Sequence, residues 1–286
     1  MVSDSRTGLS DQKIINDIER AILKNVGGMA GLEENFPKLI RRAIDEVIDT
    51  PRTGRLMLEQ IEKTEKTYIG TKVEILFRSF IRFPKGILDL NVDGVDVDIK
   101  NTVTGNWMIP NEAVGKPCIL IEADEDKAVC WLGIIVAHME SLTKGANRDQ
   151  KRSISKEGRQ NIRWLLEKYP YPANFWRGFE PKKAWKIFQH EHANARLEHL
   201  FRESLGRPIP RAVIEGVAQQ KDYMKRLRKN GGARDILASE KIAILSGAYD
   251  KDLISRLGLP ACGKDEFISF WARTKEDQKI LAEKLR

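Results

Sequence analysis

Residues 89–100 read DLNVDGVDVDIK, and the reading of this stretch decides the fold of the first half of the chain. Apolar or β-branched residues alternate over 87–92 and again over 95–101, with Asp93-Gly94 between them as a two-residue hairpin signal. With that turn, Val92 pairs with Val95, Asn91 faces Asp96, and Asp89 faces Asp98. A period of two then puts Asp96, Asp98 and Lys100 on one face of their strand and Val95, Val97 and Ile99 on the other. Four aspartates in ten residues is an unfavourable composition for two strands, because Asp is disfavoured there and like charges repel across a ladder. Two unit charges about 4 Å apart repel by roughly 4 kcal/mol at an effective dielectric near 20, so the arrangement calls for a compensating charge.

A hard divalent cation such as Mg²⁺ supplies one. It takes carboxylates, waters and phosphate oxygens as ligands, which suits Asp89 and Asp98. Lys100, two residues on, is then placed to orient or help deprotonate a metal-bound water, the requirement for phosphodiester hydrolysis. Apolar positions at Ile69, Val73, Leu76, Phe77 and Phe80 predict a helix before the hairpin, and Glu74 on it is a candidate third acidic ligand, direct or through water. The alternative is a solvated hairpin face whose acids are paired by lysines elsewhere. A longer turn would pair Asp89 with Asp96 and remove the facing carboxylates.

Outward from the hairpin, Ile14, Ile15, Ile18, Ala21, Ile22 and Val26 predict an opening helix stopped by Gly27-Gly28. A second periodic set, Leu39 to Ile48, ends at Thr50-Pro51, and a third helix can start near Gly54. Strands are expected at 118–123 and 128–137, joined by an acidic turn, and SKEGRQNIRWLLEKY reads as a helix opened by Ser155. Residues 169–189 carry prolines and clustered aromatics without a period and read as a packed linker. Beyond them three helical patterns, HANARLEHLFRESLG, PRAVIEGVAQQ and KDYMKRLRKNGG, precede the strand-like EKIAILSG. The expected division is a catalytic domain over 1–168, the linker over 169–189, and a DNA-binding domain over 190–286.

The 286 residues are 41% hydrophobic and hold 49 Lys+Arg against 41 Asp+Glu, a net charge of +8 that biases partners towards polyanions. No apolar run approaches the roughly 20 residues that span a bilayer, and the first residues lack a signal-peptide core. Cys118, Cys130 and Cys262 are too widely spaced for a zinc site and read as free thiols of a reducing compartment. His190, His192 and His199 do not build a compact metal face. GNWMIP (105–110) reads as a loop whose Trp107 packs on the core, with a base-stacking device as the alternative.

Two basic segments stand out. Arg148, Lys151, Arg152, Lys156, Arg159 and Arg163 crowd an expected helix start, where backbone N–H groups favour phosphate. Lys221, Lys225, Arg226, Arg228, Lys229 and Arg234 face a single nearby acid, Asp222, and fit the second helix of a helix-turn-helix with a wing behind it. For each, a basic solvated face is the alternative.

The motifs RTGR (52–55), KTEKT (63–67), GTKVEI (70–75), GVDVDIK (94–100), WMIP (107–110), ANRDQKR (146–152) and RAVIEGVAQQKDYMKRLRKNGGAR (211–234) occur in order over nearly the whole chain. In them the sequence resembles the type II restriction endonucleases of the NaeI family. The resemblance implies an α+β fold: a restriction-endonuclease-like PD-(D/E)xK mixed-sheet core with flanking helices, plus a C-terminal winged helix-turn-helix-like domain. It puts Glu74, Asp89, Asp98 and Lys100 at the catalytic positions, with Asp89, Asp98 and Glu74 holding Mg²⁺. The two basic segments read above assign DNA contacts to Arg148, Lys151, Arg152, Lys221, Lys225, Arg226, Arg228 and Arg234. The resemblance further implies a cytoplasmic prokaryotic homodimer, double-strand cuts in DNA at a GC-rich palindrome (GCCGGC for the family prototype), and activation by a second DNA copy. A cognate methyltransferase belongs to the same system without direct contact. The rival readings are a nicking or repair endonuclease on the same hairpin, and a winged-helix regulator with an inactive nuclease half.

Overall fold

The computed structural model describes residues 4–220, 222–227 and 231–282. They form two compact units, one made of residues up to Val47 with Ile61–Asn174, the other of Ile48–Gln60 with the chain from Phe175 onward. The short segment 48–60 therefore leaves the catalytic domain expected over 1–168 and joins the second unit. It contains the single turn α3 (Thr50–Thr53).

In the first unit α1 (Asp4–Val26) is followed at once by α2 (Gly28–Ile48), which is longer than its periodic apolar set predicts. Gly27 and Gly28 break the chain with φ of 87° and 78°, as the glycine pair suggests. The next helix of this unit, α4 (Lys63–Ile81), opens in a capping box between Glu62 and Glu65 and buries Ile69, Val73, Phe77 and Ile81 at four-residue spacing.

The strands follow: β1 (Leu90–Val92), β2 (Val95–Thr102), β3 (Met108–Ile109), β4 (Pro117–Asp124), β5 (Val129–Val136), β6 (Arg152–Ser153) and β7 (Arg163–Pro170). Five make one sheet in the order β1-β2-β4-β5-β7, and β3 with β6 makes a small separate ladder. The β2–β4 pair is parallel and the others antiparallel, so the sheet is mixed. Alternation assigns its two faces. Val97, Ile99, Ile119, Ile121, Leu132 and Ile134 lie on the face packed by α1 and α4. Asp98, Lys100, Cys118, Leu120, Gly133 and Ile135 lie on the other, over which Trp107, Ile109, Ala113, Leu142, Ile154 and Ile162 close a second core.

Residues 155–169 are not a helix. A 3-10 turn (Gly158–Asn161) leads into β7, which pairs with β5 through two register shifts. Ile162, Leu165, Leu166 and Tyr169 fall at helical spacing, but the open edge of β5 needs a partner for its backbone groups, and that need overrides the local pattern. Consequently Arg148, Lys151 and Arg152 are not near a helix start. Arg148 and Lys151 lie in an irregular loop in which Asn147 Oδ1 accepts the Asp149 and Lys151 amides at 3.0 and 2.9 Å, and Arg152 opens β6, its guanidinium donating to the Thr143 and Lys144 carbonyls.

The second unit contains α5 (Pro181–Phe188), α6 (Ala193–Glu203), β8 (Ile209–Pro210), α7 (Arg211–Ala218), α8 (Ala233–Ser239), β9 (Ile242–Ser246), α9 (Lys251–Arg256), β10 (Glu266–Trp271) and α10 (Lys275–Ala282). Its antiparallel sheet has the order β8-β10-β9. Phe175, Trp176 and Phe179 of the expected linker are buried in this unit's core with Leu197, Leu200 and Phe201 of α6. Arg196 of α6 is itself buried and donates to the Val217 and Ala218 carbonyls at 2.7 and 2.8 Å, satisfying the end of α7. Among the described residues of KDYMKRLRKNGG, where a helix is expected, Tyr223–Leu227 form a 3-10 turn, and the next helix is α8. No helix among the described residues is long and apolar enough to cross a membrane.

Candidate active site

The hairpin has the register that its turn predicts: Leu90 faces Val97, Asn91 faces Asp96, and Val92 faces Val95. Asp93 and Gly94 both have positive φ, 49° and 91°, as a type I′ turn requires, and Asn91 Oδ1 accepts the Gly94 amide at 2.9 Å. The four aspartates thus divide in role. Asp93 makes the turn. Asp96 accepts the Leu88 amide with both oxygens, at 3.0 and 3.2 Å, and so fixes the loop entering β1. Gly86 is required beneath this clamp, because a Cβ there would lie 2.3 Å from Asp96 Oδ1 and 2.4 Å from the Leu90 carbonyl.

Asp89 and Asp98 remain, and they meet at Lys100. Its Nζ lies 2.7 Å from the Asp98 carboxylate, 3.0 Å from the Ile99 carbonyl and 3.9 Å from Asp89 Oδ2. The Ile99 amide donates to Asp89 Oδ2 at 2.7 Å, tying the residue before β1 to the middle of β2. Asp98 is only 3% exposed. Burial, opposed by Lys100 and assisted by Asp89, pushes its pKa up to about 6. The Cys118 thiol, 4.0 Å from Asp98 Oδ2 on the neighbouring strand, is itself pushed up by burial and then by Asp98. Glu74 sits half-buried on α4 beside Arg78, 3.6 Å away. Its pKa is raised first by burial and then by Asp89, so its charge adds to the same electrostatic site.

Among the described residues no three His, Cys, Asp or Glu side chains form a ready metal cluster. The donor set nevertheless fits a hard cation. One positive charge, the Lys100 ammonium, already sits against two carboxylates and a carbonyl, all oxygen donors of the type that Mg²⁺ or Ca²⁺ prefers. The Ile99 amide and carbonyl, the Asp96 clamp and the Cys118 contact have no signal in the sequence pattern, since backbone groups and packing partners carry no spacing rule.

The basic residues are more dispersed. Arg148 is exposed, Lys151 and Arg152 half-buried. In the second unit Lys225 is exposed on the 3-10 turn and Arg226 Nε donates to Gln220 at 2.9 Å. Arg234 is half-buried, its Nε without a hydrogen-bond partner, with Asp250 nearby and its pKa lowered by burial. Lys221, Arg228 and Lys229 lie outside the described residues.

A hairpin that presents two carboxylates and a lysine from the edge of a mixed sheet is suited to a hard cation and a phosphate. The family described as restriction endonuclease NaeI matches residues 31–279. The type II restriction enzyme NaeI of Lentzea aerocolonigenes is 38% identical over 242 residues, covering 81% of this chain and 76% of that protein. The chain belongs to the restriction endonuclease NaeI family, and it is an enzyme of the type II site-specific deoxyribonuclease class.

Proposed function

We propose that the protein makes Mg²⁺-dependent double-strand cuts in DNA at a short GC-rich palindrome, with Asp89, Asp98 and Glu74 holding the cation and Lys100 acting on the attacking water. The observation that carries this reading is the contact of one ammonium with Asp98, the Ile99 carbonyl and Asp89. When bound, the cation polarises the phosphate and lowers the pKa of its water. Asp98 and Asp89 are held for this by burial and by the Ile99 amide, before any ligand arrives. Lys100 Nζ then donates to the water oxygen, orients it in line with the phosphorus and favours its loss of a proton. The water oxygen bonds to phosphorus as the bond to the leaving oxygen breaks, the water's proton passing to solvent and the leaving oxygen taking one from solvent.

The second unit is proposed to bind DNA as a winged helix-turn-helix module. Its order α6–β8–α7–α8–β9–α9–β10, with the sheet order β8-β10-β9, supports this, with α8 as the second helix of the motif and α9 inserted between the two longer strands. A homodimer with the second DNA copy as activator completes the proposal.

Sequencing the ends produced from a plasmid library tests the reading. With Mg²⁺ the expected result is paired double-strand ends at one palindrome, and none with chelator present. Single-strand nicks would favour the nicking or repair enzyme, and intact DNA with tight binding would favour the inactive regulator.

A further inference from the structure

On the sheet face that carries Asp98 and Lys100 there is a second feature, a cavity of about 280 Å³ lined by Glu122, Trp131, Arg159, Gln160, Trp164 and Glu167. In the parallel β2–β4 register Asp98 faces Cys118, Lys100 faces Leu120 and Thr102 faces Glu122, so Glu122 points to the same side as the candidate active-site pair. One strand across and two residues along from Lys100, its Cα is roughly 8 Å away by strand geometry, with about 4.8 Å between strands and about 3.3 Å per residue. That is about two nucleotide steps of roughly 3.4 Å rise along a DNA strand.

The cavity is built, not incidental. Trp164 sits close over its partner in the register, Gly133, which has no side chain; a Cβ there would fall 2.8 Å from the Trp164 ring. Trp107 beneath is fixed by its Nε1 donating to the Ile121 carbonyl at 2.8 Å, and packs against Trp164 at 6.1 Å between ring centroids. Arg159 stacks over Trp107 at 4.8 Å and donates to the Gly105 carbonyl, with its charge beside Glu122. Gly105, at φ 73°, brings the backbone against the Glu122 carboxylate: a Cβ would lie 3.1 Å from Oε1. Glu122 is half-buried and makes no hydrogen bond among the described residues, and burial raises its pKa.

A half-buried carboxylate with open acceptor positions, beside two indoles, invites a planar group with N–H donors. Phosphate is disfavoured, because Glu122 and Glu167 outnumber Arg159. Among base edges, cytosine N4 is the donor that Glu reads, while Asn or Gln suits adenine. Building on the nuclease reading above, we propose that Glu122 is a specificity-determining residue: its carboxylate accepts a hydrogen bond from the 4-amino group of a cytosine close to the cut phosphate.

The test compares the wild-type enzyme with Glu122→Gln and Glu122→Ala on the plasmid library with Mg²⁺. It adds matched duplexes in which each cytosine of the preferred site is replaced in turn by 2-pyrimidinone, which lacks the 4-amino group. One such replacement should reduce wild-type kcat/KM by about 5- to 150-fold, the ~1 to 3 kcal/mol carried by a base-edge contact. Both variants should lose selectivity at that one position and be insensitive to the same replacement, while melting near the wild-type temperature. Unchanged site preference in a folded Glu122→Ala protein, or a penalty that follows adenine N6 instead, overturns the cytosine contact and leaves the nuclease reading standing. A wild-type protein that cuts none of the library overturns the nuclease reading and this inference with it.

Discussion

The Asp89 carboxylate accepts the backbone amide of Ile99 at 2.7 Å, so a candidate metal ligand is positioned by the strand that carries the other ligand and the lysine. The contact spans the hairpin just beyond its last ladder pair, Leu90 with Val97. It explains how two aspartates can face each other without a metal ion: one is held by an N–H and the other by the Lys100 ammonium.

Asp89→Asn and Asp89→Ala should therefore separate folding from chemistry. Asn keeps an oxygen for the Ile99 amide, so its melting temperature should stay close to wild type while cleavage and calorimetric Mg²⁺ affinity fall by orders of magnitude. Ala loses the acceptor as well and should cost about 1–3 kcal/mol of stability in urea unfolding, the penalty for an unsatisfied buried N–H. A fully active Asp89→Asn protein would remove this carboxylate from the metal set.

Asp96 lies on the same strand face as Asp98 but serves the loop, through the Leu88 amide. Asp96→Ala should loosen residues 86–88, measurable as faster amide exchange at Leu88, and reduce kcat through misplacement of Asp89, with a wild-type response to added Mg²⁺ at saturation. Gly86→Ala should destabilise the same loop, because its Cβ has no room beside Asp96 and the Leu90 carbonyl.

The hairpin was legible because a strict period of two and an Asp-Gly turn fix its register from local information alone. What Asp96 does was not, since its partner is a backbone amide eight residues away in a loop with no pattern. The segment 155–169 misleads for the opposite reason: Ile162, Leu165, Leu166 and Tyr169 give a convincing helical period, yet the chain is an edge strand chosen by the unpaired side of β5. KDYMKRLRKNGG fails similarly, since its basic residues favour a helix locally while Tyr223, Met224 and Leu227 turn tightly to pack on the second unit's core. Residues 48–60 sit between two helices of the first unit in sequence, and nothing local marks Leu56 as part of the other core.

Asp98 gives a pH dependence with a defined sign. Burial raises its pKa to about 6, so in the absence of metal the folded state holds its proton more tightly than the unfolded chain does, near 3.9. The stability this contributes is complete below the unfolded value and is lost as pH rises through about 6. Metal-free wild-type protein should thus lose melting temperature over this window relative to Asp98→Asn. Cleavage should behave oppositely: below about pH 6 the protonated carboxyl is a poor ligand, and the rate should fall about tenfold per pH unit where this single group is limiting. A rate flat from pH 7 to 5, with Mg²⁺ affinity also flat, would contradict the assignment.

The last prediction concerns the second unit, where Lys225 stands exposed on the 3-10 turn and Arg226 is linked to Gln220 between α7 and α8. If this unit binds its own copy of DNA, these two cations contact phosphates, because the base-reading positions of a helix-turn-helix lie on the following helix. Each lost phosphate contact should flatten log K against log salt by about one unit. Binding there can accelerate cutting only if DNA prefers the active conformation, and such coupling is typically ~1 to 3 kcal/mol, or roughly 5- to 150-fold. A plasmid with one site should be cut slowly and be accelerated by a short uncleaved duplex carrying the site. A Lys225→Ala, Arg226→Ala double mutant should keep the slow rate and lose the acceleration. Equal rates on one-site and two-site plasmids, indifferent to added duplex, would make the second unit a simple anchor.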